Sequence, residues 1–234
     1  MNNYLNWSEK TIADFSSGNI DKMYADGFVF TRIGKGVMQQ TRSVRIDLSK
    51  FSLTSENRRI LKKAGEVGGD GALGQGLKMY SIPLPMTDYD FKIGKLAKDF
   101  YEKKFGAGIM SAQKVKELLT DGEKSNFNSY LRFSTQGNSE LAIGYAICYS
   151  NTAIIHYSYP FYNLETAPKD MGLAMMTMAI NEAKKIGLKY VYLGSLQRPT
   201  DTYKLQFEGL EWFDGKRWQT DIEEVKKILT SAKM

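Results

Sequence analysis

The chain has 234 residues, 42% of them apolar and 25% charged, with a formal net charge of +6 and a single cysteine, Cys148. One cysteine excludes an internal disulfide or a cysteine-rich metal site, and no apolar run approaches the ~18 residues that a membrane helix requires, so a folded soluble chain of one large or two small domains is expected. The opening MNNYLNWSEK lacks the basic and apolar regions of a secretory signal, which points to a reducing cytoplasm.

In chain order, FVFTRIGKGVMQQTRSVRIDL predicts strands around a turn at Gly34 to Gly36, with alternation through Val44, Ile46 and Leu48. A helix follows, capped by Thr54 or Ser55 and stopped at Gly65. Between Arg42 and Lys63 lie seven basic residues against two acidic ones, which suits either a phosphate-bearing partner or a solvated helix face. The glycine-rich stretch Glu66 to Gly76 reads as a connector, since it has neither the Lys-Ser/Thr pair of a P-loop nor a preceding apolar strand. LKMYSIPLP reads as a strand, DYDFKIGKLAKDFYEKKFG as a helix capped near Thr87, and SAQKVKELLTDG as a helix capped by Ser111.

The second half predicts strands near Tyr130–Phe133, Leu141–Tyr149 and Ala153–Tyr159, a helix from about Pro168 to Ile186 ended by Gly187, and the strand LKYVYLG. Another strand around Leu205–Trp212 and the helix DIEEVKKILTSAK close the chain. Three strands, a helix and two more strands resemble the core order of the GNAT acyltransferase fold, in which the fourth and fifth strands splay apart to hold an acyl donor. The expected architecture is α+β, with tandem GNAT-like halves at residues 1–86 and 87–234 and mixed, mostly antiparallel sheets flanked by helices. KDMGLA, Lys169 to Ala174, partly matches the GNAT loop that wraps the pyrophosphate of acyl-CoA, and reads more readily as ordinary helix packing. His156, the only histidine, reads more readily as structural than as a base, because no carboxylate stands at a recognisable spacing.

Two blocks carry a more specific resemblance. YLG…TYKLQFEGLE is similar to the C-terminal block of the arginyl-tRNA-protein transferases and their bacterial leucyl-transferring relatives, with agreement at Tyr192, Leu193, Gly194, Tyr203, Lys204, Phe207, Leu210 and Glu211. VRIDLSKFSLTSENRR resembles a second block of the same family, matching at Arg45, Phe51, Arg58 and Arg59. The family's cysteines ahead of that block are absent from GKGVMQQTRS, and Ser195, Arg198 and Asp201 depart from its C-terminal pattern.

The resemblance implies transfer of an aminoacyl group from the 3′ ester of a charged tRNA to a protein N-terminus, which in that family marks the protein for proteolysis. An activated ester and a partly neutral amine need mainly positioning and oxyanion stabilisation, so no metal, cofactor or nucleophile is expected. The partners implied are an aminoacyl-tRNA and an acceptor protein or peptide, without a membrane. Tyr203 and Lys204 are the catalytic candidates. Arg45, Arg58, Arg59, Tyr192, Gly194, Ser195 and Arg198 are the substrate-binding candidates, and Arg42, Lys62, Lys63 and Lys169 those for tRNA. The alternatives are an acyl-CoA-dependent GNAT N-acyltransferase, resting on KDMGLA, and a tRNA- or peptide-binding module without turnover.

Overall fold

The computed structural model of the chain describes residues 5–66, 77–135 and 142–231. The glycine-rich connector lies outside the described residues from position 67 on, as does Leu141, the expected start of one strand. Along the chain run β1 (Ser8–Thr11), α1 (Ser17–Ala25), β2 (Phe28–Phe30), β3 (Val37–Gln40), β4 (Ser43–Asp47), α2 (Ser55–Glu66), β5 (Leu77–Pro83), α3 (Phe91–Phe105) and α4 (Ala112–Thr120). There follow β6 (Ser129–Thr135), β7 (Ala142–Ser150), β8 (Ile154–Tyr162), α5 (Met171–Lys185), β9 (Tyr190–Ser195), a 3-10 helix (Pro199–Gln206), β10 (Leu210–Phe213), β11 (Trp218–Gln219) and α6 (Ile222–Ser231). The class is the expected one, α+β with mixed, mostly antiparallel sheets. Among the described residues no helix is long and apolar enough to cross a membrane.

The chain divides into two compact units: Met1–Thr54 with Asn151–His156 and Glu182–Met234, and Ser55–Ser150 with Tyr157–Asn181. The boundary expected at residues 86 and 87 falls inside the second of these.

In the first unit β1, β3 and β2 form a small antiparallel sheet, and a larger set runs β11-β10-β4-β9 and on to the start of β8. β4 lies antiparallel to both β9 and β10. With neighbours on both edges β4 is buried from Ser43 to Ile46, and Val44 and Ile46 are fully so. Gly209 fixes the start of β10: its φ is +75°, and a Cβ there would run into the Asp47 backbone. Its carbonyl accepts the Asp47 amide at 2.8 Å, which sets the register of the two strands. α1, not anticipated from the sequence, is capped by the Ser16 hydroxyl and buries Ile20, Met23 and Tyr24.

The second unit holds α2, α3, α4, the strands β7-β6-β5 with the rest of β8, and α5 to Asn181. α3 is capped by Asp90, three residues later than the expected Thr87, with the carboxylate accepting from the Lys92 amide at 2.9 Å. Ser111 caps α4 as expected, accepting from the Lys114 amide at 3.0 Å. α2 continues through Gly65, and Ile60 and Ala64 pack with Ala174 and Leu173 of α5. That leaves Arg58, Arg59, Lys62 and Lys63 exposed on its other face.

The C-terminal region differs most from the expectation. Residues 199–206 form the 3-10 helix, and only Leu210–Phe213 is strand. Pro199 supplies a helix-start φ, and the Asp201 carboxylate accepts the Gln197 and Arg198 amides at 2.8 and 2.9 Å.

Candidate active site

β8 runs parallel to β9 with pairs Ile154–Tyr190, Ile155–Val191 and His156–Tyr192, while β9 continues to Ser195. On its other edge β9 pairs with β4 through a bulge: Ser43 faces Ser195 and Arg45 faces Tyr192, so three steps on β9 span two on β4. Gly194, at φ +75°, lies within this extra step. β9 ends at Ser195, still paired with Ser43, and the Leu196 amide donates to the Arg42 carbonyl at 2.8 Å, so the polar stretch begins just beyond the bulge.

Arg45 lies at the centre of this unit. Its Nε and Nη2 donate to Glu211 Oε2 at 2.8 and 2.7 Å, and its Nη1 lies 3.4 Å from the Tyr192 hydroxyl. The guanidinium is stacked between the rings of Tyr190 and Trp218, 4.1 and 4.0 Å from their centroids. Lys50 reaches the other Glu211 oxygen and Asp47 Oδ2, each at 3.0 Å. Burial works against the charge of Arg45, but Tyr192 and Glu211 outweigh it and hold its pKa above the ordinary arginine value. Burial pushes the Tyr192 hydroxyl up to about 12, with Arg45 opposing. A cleft of about 320 Å³ beside this cluster is lined by Lys50, Phe207, Glu208, Glu211 and Thr220.

A second cluster lies beneath the end of β9. The Tyr24 hydroxyl is 2.9 Å from His156 Nδ1 and 3.5 Å from the Phe30 amide, which donates to it. Burial, and then the Lys204 charge, push His156 down to about 3. The Tyr24 ring meets that of Tyr192 edge-on at 4.7 Å.

The two catalytic candidates are neighbours on the 3-10 helix. Tyr203 is 45% exposed, whereas Lys204 is buried, with Nζ donating to the Ser195 carbonyl at 2.9 Å. Burial depresses the Lys204 pKa, Asp201 counters that, and Arg198 adds to it. Arg42 is half-buried and donates from Nη1 to the next carbonyl, Leu196, at 3.3 Å. Gln197 ties the turn down, donating from Nε2 to Thr41 Oγ1, the Leu5 carbonyl and Ser195 Oγ at 2.7 to 3.1 Å.

Arg42, Arg45, Tyr192, Gly194, Ser195, Arg198, Tyr203 and Lys204 thus share the first unit. Arg58, Arg59, Lys62, Lys63 and Lys169 all lie in the second and are exposed there, and Arg59 forms an ion pair with Glu56. Sequence reasoning did not single out Tyr24, Tyr190, Gln197 or Trp218. Each contributes through pairing across long separations, for which the sequence carries no local signal.

The start of α5 bears on the acyl-CoA alternative. An acyl-CoA pyrophosphate is held by free amides at a helix start. Here the Met171 amide donates to the Pro168 carbonyl at 3.2 Å, and those of Leu173 and Ala174 donate to the Asp170 carbonyl at 3.0 and 2.9 Å. The Gly172 amide is taken by the Tyr162 hydroxyl, whose ring a Cβ at Gly172 would meet at 3.2 Å. Asp170, held at φ +69°, places a carboxyl-bearing residue directly before the helix. Cys148 is buried, and burial raises its thiol to about 12, which leaves it unreactive as a nucleophile.

No protein-family model matches the chain. Among curated proteins it is similar to the aspartate/glutamate leucyltransferase of Alkalilimnicola ehrlichii, 25% identical over 221 residues that cover 92% of this chain and 87% of the relative. The protein of the same name from Ruegeria pomeroyi is 25% identical over 185 residues, covering 77% of this chain and 63% of that one. Among solved structures, L-PGS from Bacillus licheniformis is similar at 12% identity and a TM-score of 0.48, over 91% of this chain and 70% of that one. The curated relatives place the chain among the aminoacyltransferase enzymes. They are leucyltransferases in particular, in agreement with the resemblance carried by the VRI and YLG blocks.

Two outcomes follow from this geometry. Replacing one partner of the buried pair by Glu211→Gln is expected to destabilise the protein by about 3 kcal/mol in urea unfolding, because the Arg45 charge loses its counter-ion. Lys50→Met, at an exposed edge, should change stability little. For His156 the folded pKa lies below the unfolded one, so its contribution is fully present above pH ~6.5 and is lost as pH falls toward 3. Over that window wild type should lose up to ~1.4 kcal/mol of stability per pH unit more than His156→Gln, measured by unfolding at stepped pH.

Proposed function

We propose that this protein moves an aminoacyl group from the 3′ ester of a charged tRNA to an amine, with the N-terminus of a protein or peptide as acceptor, in a reducing cytoplasm. The observation that carries the reading is that matches from both sequence blocks meet in one place: Arg45 of the first hydrogen-bonds Glu211 and Tyr192 of the second. The similarity to leucyltransferases over nearly the whole chain supports it independently.

The chemistry asks little of the protein. The acceptor nitrogen attacks the ester carbonyl, the amide bond forms as the carbon–oxygen bond to the ribose breaks, and the proton lost by the amine ends on the leaving 3′ oxygen. Tyr203, on the exposed side of the 3-10 helix, is the candidate to hydrogen-bond the amine or the ribose oxygen. Lys204 acts from beneath, anchoring the Ser195 carbonyl and supplying positive charge as the oxyanion develops. Arg58, Arg59, Lys62, Lys63 and Lys169 are the candidates for the tRNA backbone. The acceptor gains a new N-terminal residue, which in a degradation pathway would change its lifetime. We set the acyl-CoA alternative aside because the amides at the start of α5 already have acceptors within the fold.

Binding tests the choice of donor. Charged tRNA should be retained on filters with a salt dependence that flattens when Arg58, Arg59, Lys62 and Lys63 are changed together to Ala, by roughly 0.7–0.9 of a log unit for each phosphate that is no longer neutralised. An unchanged salt slope would remove those four residues from the tRNA interface. Stabilisation by acetyl-CoA together with no tRNA retention would favour the alternative.

A further inference from the structure

Buried cations are normally paired, because taking a charge out of water costs several kcal/mol. Arg45 obeys this with Glu211. Arg42 and Lys204 do not: among the described residues neither has a carboxylate within ion-pair distance. Both rest on neutral backbone instead, Lys204 on the Ser195 carbonyl and Arg42 on the Leu196 carbonyl, so two cations sit on consecutive peptide groups. Arg42 is held in place by its own backbone, whose carbonyl accepts the Leu196 amide at 2.8 Å. Its Nε is shielded from solvent with no hydrogen-bond acceptor.

The groups around the turn do not cancel this charge. Arg198 adds a third positive group close enough to act on Lys204. The negative group there is Asp201, one of whose oxygens is occupied by the Gln197 and Arg198 amides. His156 is neutral. The bulge at Gly194 falls immediately before Ser195, the last residue of β9, so the two carbonyls and their cations lie at the end of that strand.

We propose that Arg42, with Lys204 beneath it, forms a binding site for a phosphodiester: the linkage on the 5′ side of the ribose that bears the aminoacyl ester. The assignment rests on the tRNA reading above. A protein that holds the ester next to Ser195 necessarily meets that phosphate, because both are carried by the same ribose. A guanidinium with free Nη positions suits the two non-bridging oxygens. Arg42 and Lys204, neither with a carboxylate in ion-pair distance among the described residues, leave more positive charge than the single carboxylate of an acidic acceptor would neutralise. Arg42 touches the phosphate, while Lys204 is too buried to reach the ligand and contributes through its field and its hold on the Ser195 carbonyl.

The test compares full-length tRNA with the same tRNA carrying a neutral methylphosphonate at its last linkage, by filter retention with wild type, Arg42→Gln, Arg42→Lys and Lys204→Met. Wild type is expected to bind the neutralised tRNA roughly tenfold more weakly. Arg42→Gln should weaken binding of natural tRNA by about as much and then be indifferent to the replacement, whereas Arg42→Lys should keep part of the discrimination and so separates removal of charge from damage to the fold. Lys204→Met should show a smaller effect in the same direction with an undiminished melting temperature. Equal binding of both tRNAs by wild type, or undiminished discrimination by Arg42→Gln, overturns the site alone. Failure of wild type to bind either tRNA removes the tRNA reading and this site together. If an acidic dipeptide stabilises wild type but not Arg42→Gln while tRNA discrimination is unaffected, the anion is a carboxylate and the proposal is wrong.

Discussion

A buried arginine organises the first unit. A guanidinium in the middle of a sheet is stable only if its donors and its charge are matched, and Arg45 is matched from three strands: Tyr192 on β9, Glu211 on β10, and stacked rings from β9 and β11. Because side chains alternate along a strand, a slip of one residue in any of these pairings would turn a partner to the other face and strand the charge. The ion pair therefore acts as a register lock. Gly209 tightens it by letting the chain pass close to the Asp47 backbone where β10 begins.

With the register fixed, the bulge at Gly194 delivers a defined turn that holds the candidate catalytic and binding residues. Its polar groups are committed inward by Gln197 and Asp201, and its charge comes from Arg42, Lys204 and Arg198. His156 is held neutral below it by burial and by that same positive charge, which makes it a support for Tyr24 and Tyr192 rather than a proton carrier. A hydrogen-bonded turn with surplus positive charge suits a reaction whose donor is already activated and whose transition state develops negative charge on oxygen. The α5 helix of the second unit has consumed its own starting amides, and an acyl-CoA-dependent enzyme would need those groups free.

Elements with strong local signals were legible in the sequence. Ser111 and its helix, the alternation of VRIDL and the apolar run of β9 are examples, since caps and periodicity are local properties. The α1 segment also carried a signal, a serine cap followed by apolar residues at helical spacing, although its shortness hid it among polar neighbours. The 3-10 helix after Pro199 carries no periodic signal, and only its last residues, Leu205 and Gln206, fall in the expected strand; the features that set its conformation are one proline and the hydrogen bonds of one aspartate. The candidate site was legible only as separate matches. That Arg45 meets Glu211, or that Arg42 and Lys204 occupy adjacent carbonyls, depends on strand register and a bulge, which a single sequence does not encode locally.

The most direct measurement is a single-turnover reaction of the protein with a mixture of charged tRNAs and a peptide bearing an acidic N-terminal residue, followed by mass spectrometry of the peptide. The peptide is expected to gain one aminoacyl group on its α-amine, and a peptide with an acetylated N-terminus to gain none. Absence of product from every charged tRNA, with acetylation of the same amine when acetyl-CoA is supplied, would contradict tRNA-dependent transfer.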